Sequence, residues 1–175
     1  TISALTTQTN STIAAESLFK LLGYLREEHG TYKSGHAFMC DYFKELGLDG
    51  SEINMVDGSG ISRDNHVTPY FVCQFLDAIA RQPFFWDFVG TLGISANLPE
   101  SAIIPDIPDE CALKIKCGVM QGVRNYVGYF TNADDEMFCF SVLCNNYDCD
   151  DETMDTMIKD ILEEIVKLQK IRFPY

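Results

Sequence analysis

Apolar residues recur three and four apart in the first ninety or so positions and again after residue 150, and alternate with polar ones in between. That is the pattern of helices on either side of a small sheet. Ser11 to Leu22 reads as a helix capped by Ser11 or Thr12, with Ile13, Leu18, Leu21 and Leu22 apolar and Gly23 ending it. A second is predicted from about Ser34 to Leu46, with Phe38, Phe43 and Leu46 on one side and Gly47 just past its end. A third runs from Pro69 to Ala80, where Val72, Cys73, Phe75, Leu76 and Ile79 are too many for one stripe and predict burial on most sides. Phe84, Phe85, Trp86 and Phe88 predict a short aromatic helix, and Pro99, Pro105 and Pro108 make 90–110 a long irregular loop of the kind that lines or covers a site.

Three strands are predicted at Ala112–Cys117, Val123–Phe130 and Glu136–Leu143, joined by Gly118–Gly122 and by residues 131–135. Linkers that short make an antiparallel meander. In the first strand Leu113 and Ile115 alternate with Lys114 and Lys116, placing both lysines on one face. The last element is a helix carrying Met154, Met157, Ile158, Ile161, Leu162, Ile165 and Leu168. Asp150, Asp151 and Glu152 open it and Lys167, Lys170 and Arg172 follow its end, as the helix dipole favours. The acidic group reads as capping rather than as a calcium loop.

With 175 residues, 46% of them hydrophobic, the chain suits one packed domain over 1–175. A formal net charge of −13 repels phosphate backbones and argues against nucleic-acid partners. No apolar run approaches the roughly 20 residues of a transmembrane helix. Thr1 follows no charged-then-apolar signal segment, so a primary translation product is expected to contain more than these residues. The seven cysteines lack C-x-x-C spacing, and His29, His36 and His66 are scattered, so no metal site is expected. Cys40 and Cys73 read as small core residues; Cys144 and Cys149 are near enough to pair in an oxidising compartment. Asn10-Ser11-Thr12 is a formal glycosylation sequon.

The most informative stretch is Asp57-Gly58-Ser59-Gly60-Ile61-Ser62-Arg63-Asp64-Asn65-His66-Val67-Thr68-Pro69. Its glycines demand a tight turn, and Thr68-Pro69 supplies an N-cap hydroxyl and a first-turn proline. By composition alone it is a connector into a helix. Val56 to Arg63, with Val67-Thr68-Pro69, resembles a segment of the serine-type D-alanyl-D-alanine carboxypeptidase/endopeptidase family of penicillin-binding proteins. Lys116-Cys117-Gly118, followed by Gln121-Gly122-Val123-Arg124 and Gly128-Tyr129, is similar to the family's Lys-Thr-Gly strand and the strand after it, with cysteine in the threonine position. Leu143 to Tyr147 and the closing helix fit the same order. Ala15 to Gly23 is similar to the helix after the family's Ser-x-Asn motif, which puts Asn10-Ser11-Thr12 at that motif with its polar types inverted.

The resemblance implies an α/β fold, an antiparallel sheet packed by helices, forming the C-terminal part of a penicillin-binding, β-lactamase-like domain. It implies hydrolysis of a terminal D-Ala-D-Ala bond or a cross-link in peptidoglycan peptides, with β-lactams as the related ligands and no metal or cofactor. It places the work outside the cytoplasmic membrane, typically in the periplasm of a bacterial envelope. Carried over by position, Lys116, Ser11 and Thr12 are candidate catalytic residues and Cys117, Gly118 and Asn10 candidate substrate contacts. The family's Ser-x-x-Lys nucleophile lies upstream, in a missing N-terminal part of the same protein. Ser17-x-x-Lys20 is a chance match inside a helix where the family places no nucleophile, so the chain alone is expected to be inactive. Two other readings compete: a catalytically dead relative that binds peptidoglycan or a protein, and a thiol enzyme built on Cys117.

Overall fold

The computed structural model describes residues 6, 11–93, 103 and 105–169, and the chain forms two compact units, Thr1–Thr91 and Leu92–Tyr175. In the first unit, α1 spans Thr12–Glu27 and α2 spans Tyr32–Glu45. A single 3₁₀ turn, Gly50–Glu52, precedes α3 at Pro69–Ala80 and the short α4 at Phe85–Thr91. Ser11 caps α1 by accepting from the Ala14 amide, as expected, but the helix does not end at Gly23. It runs on to Glu27 and closes through Glu28 at φ 58°. The reason is packing. A Cβ on Gly23 would lie 2.6 Å from the Gly35 nitrogen and closer still to the Ser34 hydroxyl, so this glycine is the point where α1 meets α2.

Helix α2 starts two residues earlier than the pattern predicts because Thr31 and Ser34 form a reciprocal cap. Gly47 follows its end at φ +77°, in the role anticipated for it. Helix α3 begins as predicted: Thr68 accepts from the Phe71 amide and Pro69 occupies the first turn. Phe43 of α2 packs edge-on against Phe71 and Phe75 of α3, with ring centroids 5.1 and 5.8 Å apart. Phe43, Phe71 and Ile53 form one buried apolar cluster of this unit.

The second unit is a three-stranded antiparallel sheet in the order β1-β2-β3, with β1 at Ala112–Met120, β2 at Val123–Thr131 and β3 at Met137–Asn145. The meander is as expected, but β1 is longer. Gly118, Val119 and Met120 continue the ladder, pairing with Asn125, Arg124 and Val123, so Gln121-Gly122 alone makes the turn. Helix α5, Asp151–Ile165, is capped by Asp150, which accepts from the Thr153 amide at 2.8 Å.

One sheet face meets α5. Ile115, Cys117, Tyr126, Ile158 and Leu162 are each at most 2% exposed, and a fully buried aliphatic side chain of this size contributes about 2 kcal/mol of transfer free energy. The buried seam of α5 is Ile158, Leu162 and, just past its end, Val166; Met157 and Ile161, apolar in the same pattern, are exposed. Of the expected loop at 90–110, residues 90 and 91 belong to α4, Gly93 bridges to Ile115, and 94–102 and 104 lie outside the described residues. Lys170 and Arg172 also lie outside them. Cys144 and Cys149 are not joined in a disulfide. No described helix is long and apolar enough to cross a membrane.

Candidate functional site

In the first unit the glycine-rich stretch is a closed loop wound around one carboxylate. Asp57 Oδ1 accepts from the Gly60 amide at 2.6 Å and from Asn65 Nδ2 at 3.0 Å, and Oδ2 accepts from the Ser62 amide at 2.7 Å. Asn65 returns the contact, its Oδ1 accepting from the Val56 amide at 2.9 Å. A two-way backbone bridge between Asn54 and His66 closes the base. The loop lies on α1: a Cβ on Gly58 would sit 2.5 Å from the Phe19 Cβ and 2.6 Å from the Ala15 carbonyl oxygen. Ser59 donates its amide to Glu16 Oε1 at 3.1 Å, a tie that sequence reasoning missed because nothing in the spacing links residues 43 apart.

Between this loop and the start of α1 lies a groove of about 480 Å³ lined by Thr12, Glu16, Ser17, Lys20, Asp57 and Ser59 among others. Ser11 sits at the helix N-terminus with its hydroxyl oxygen accepting from the Ala14 amide at 3.3 Å, and Thr12 is exposed in the first turn. Asn10 lies outside the described residues. The Lys20 ammonium stands 4.3 Å from the centre of the Tyr32 ring, a cation–π contact that accounts for this lysine without Ser17.

In the second unit, Lys116, Cys117 and Gly118 are consecutive on β1, an edge strand of the sheet among the described residues, whose outer side Gly93 pairs at Ile115. The two-residue period sends their side chains to opposite faces. Lys116 is half-buried, and burial pushes its ammonium below the ordinary lysine value. Its Nζ donates to the Cys117 carbonyl at 2.7 Å. Cys117 points the other way, 2% exposed among the residues that pack on α5. A nucleophile there would have no path to a substrate while the strand holds, and this speaks against a Cys117 thiol enzyme. Gly118 is exposed; among the described residues a Cβ there would meet only Asn125, at 4.0 Å, so the missing side chain leaves the surface of the strand open toward them.

Behind the strand, Arg124 of β2 is 6% exposed and locks the sheet to the first turns of α5 through Asp155 at 2.8 Å and Asp151 at 2.9 Å. Tyr147 donates to Asp151 at 2.7 Å, a bond that holds the tyrosine hydroxyl up at about 12. The acidic start of α5 is thus used for capping and ion pairing. Among the described residues no group of three or more His, Cys, Asp or Glu side chains is placed to hold a metal.

Residues 2–167 match the family model described as the D-Ala-D-Ala carboxypeptidase 3 (S13) family. The chain is 25% identical over 141 residues to D-alanyl-D-alanine carboxypeptidase DacB of Haemophilus influenzae, covering 78% of this chain and 29% of that protein. It is 26% identical over 175 residues to penicillin-sensitive carboxypeptidase A of Dictyostelium discoideum, covering 91% of this chain and 32% of that one. Its fold matches the crystal structure of penicillin binding protein 4 (dacB) from H. influenzae, complexed with a β-lactam, at a TM-score of 0.82, with 21% identity over 95% of this chain and 41% of the other. It also matches a class A β-lactamase from Bacteroides cellulosilyticus at 0.64, with 16% identity over 94% and 62% of the two chains. The fold is that of penicillin-binding proteins and β-lactamases. The chain spans under a third of the length of the curated relatives it matches.

Proposed function

The chain belongs to the D-Ala-D-Ala carboxypeptidase 3 (S13) family, and from that membership we propose that it is the C-terminal part of a serine-type D-Ala-D-Ala carboxypeptidase/endopeptidase acting on peptidoglycan peptides. The observation that carries the reading is Lys116-Cys117-Gly118 on an edge strand, with the Lys116 ammonium half-buried and donating to the Cys117 carbonyl. A terminal carboxylate, of a peptide or of a β-lactam, is a charged acceptor for that ammonium and makes a charge-assisted hydrogen bond with it. Gly118 leaves the strand surface open for a ligand backbone to come close. In this reading Ser11 and Thr12, with Asn10, occupy the place of the family's polar relay, and Cys117, whose side chain lies in the core, meets the substrate through its backbone.

The serine nucleophile and its lysine are supplied by the rest of the protein, in keeping with the 29% and 32% of the relatives' lengths that this chain spans. Residues 1–175 work as a portion of one peptidase domain, with no metal or cofactor, outside the cytoplasmic membrane and, in a bacterial envelope, in the periplasm. D-Alanine release from a D-Ala-D-Ala peptide by the longest natural form tests this. Wild-type release, lost on Lys116→Met while the fold persists, supports it; no release from the wild type sinks the enzymatic reading.

A second reading has its own support: a catalytically inactive relative that binds peptidoglycan or a protein partner. Cys117 replaces a hydroxyl donor with a buried, weakly bonding thiol, and Asn10-Ser11-Thr12 inverts the polar types at the relay. It predicts β-lactam or peptide binding that is reversible and never yields an acyl adduct.

A further inference from the structure

On α2, outside everything used above, His36 and Cys40 stand one helical turn apart with Cys40 Sγ 3.4 Å from His36 Nε2. The other ring nitrogen, Nδ1, lies 3.0 Å from the carbonyl oxygen of Met55. A carbonyl can only accept, so Nδ1 carries the hydrogen and Nε2 presents its lone pair to the thiol. A base oriented by a third group and aimed at a sulfur is the arrangement that activates cysteine nucleophiles. Cys40 is partly exposed, whereas Cys117 is buried. Burial pushes the Cys111 and Cys144 thiols upward, away from the reactive thiolate. The spacing of His36 and Cys40 is legible in the sequence, but the Met55 carbonyl that fixes the ring is 19 residues away, which is why Cys40 reads there as a small core residue.

We propose that Cys40, activated by His36, is the reactive thiol of this chain and a site of mixed-disulfide formation with small disulfides. His36 Nε2 takes the thiol proton as Sγ attacks one sulfur of the disulfide. The S–S bond breaks, the departing thiolate takes the proton back, and the products are a Cys40 mixed disulfide and one free small thiol. No net oxidant is needed beyond the disulfide itself.

The test uses an aromatic disulfide, 5,5′-dithiobis(2-nitrobenzoic acid), on the native protein, with release of the coloured thiol followed in time and the modified cysteine identified by peptide mass mapping. The fastest phase should map to Cys40 and vanish in Cys40→Ser. In His36→Gln, which keeps the thiol and an N–H donor for Met55, that phase should slow on the order of tenfold or more. The slower phases should not change, which separates activation from a general loosening of α2. In His36→Ala, added imidazole should restore part of the lost rate. A fastest phase at another cysteine, or a Cys40 rate unaffected by His36→Gln, overturns the proposal.

Discussion

Asn65 Nδ2 donates to Asp57 Oδ1 at 3.0 Å, joining the two ends of the glycine-rich loop through their side chains. Asp57 also holds the amides of Gly60 and Ser62, so one carboxylate sets the path of the segment that most resembles the family. Asp57→Ala leaves three donors without this acceptor and should cost about 2 kcal/mol, since bonds to a charged acceptor are worth more than neutral ones but this loop can partly hydrate. Urea denaturation of the two proteins measures the difference; a change below a few tenths of a kcal/mol would mean the loop keeps its shape without Asp57.

The close crossing of α1 and α2 gives a second prediction. Gly23→Ala forces a methyl group against the Ser34 hydroxyl and the Gly35 nitrogen and should destabilise the protein by about 1–3 kcal/mol despite alanine's better helix propensity. Gly90→Ala, in α4, meets nothing within 4 Å among the described residues and should be neutral or stabilising. Equal thermal midpoints for the two variants would contradict the packing account.

These two sites show what was legible in the chain and what was not. The start of α3 could be read from Thr68-Pro69 because capping chemistry is local, and so could the meander and Gly47 after α2. Gly23 reads as a helix stop because propensity sees only the missing side chain; its actual cause is a helix that follows in sequence and crosses in space. Gly118 reads as a breaker for the same reason, although the ladder to Asn125 carries β1 through it. At the candidate site the alternation of Lys116 with its neighbours was visible, whereas carrying Cys117 over by position as a substrate contact did not anticipate that its side chain lies in the core under α5. The internal wiring of the loop, Asp57 to Asn65 and Glu16 to Ser59, depends on side-chain geometry that no spacing rule encodes.

Arg124 predicts an acid dependence. Hydrogen bonding from Tyr147 first, and from Arg124 next, holds the Asp151 carboxyl below the ordinary carboxylate value in the folded state. A depressed folded value means stability that is present above the unfolded value, about pH 4, and lost as pH falls through the folded one. Asp150, lowered by its bond from the Thr153 amide, acts in the same direction. Thermal midpoints measured from pH 6 down to pH 2 should fall less steeply for Asp151→Asn than for the wild type. Parallel curves would contradict the assignment.

Lys116 gives the same direction with pH but the opposite effect at neutral pH, where its shift costs stability instead of adding it. Burial depresses its folded value, so the unfolded chain binds the proton better and stability rises with pH from the folded value up to the ordinary lysine value. Lys116→Met, which removes the half-buried charge, should raise the thermal midpoint at pH 7 while weakening any carboxylate ligand. A residue that lowers stability and strengthens binding is what a ligand-facing group looks like. A lower midpoint in Lys116→Met would make Lys116 a structural residue instead.

The most direct test of the whole account is covalent labelling with a fluorescent penicillin, applied in parallel to the 175-residue chain and to the longest natural form of the protein. The prediction is no adduct on the chain alone and a stable adduct on the longer form, at a serine outside these residues and lost on denaturation before exposure. An adduct within the chain, at Ser17 or elsewhere, would contradict the placement of the nucleophile, and a longer form that never labels would leave the fold in the service of recognition alone.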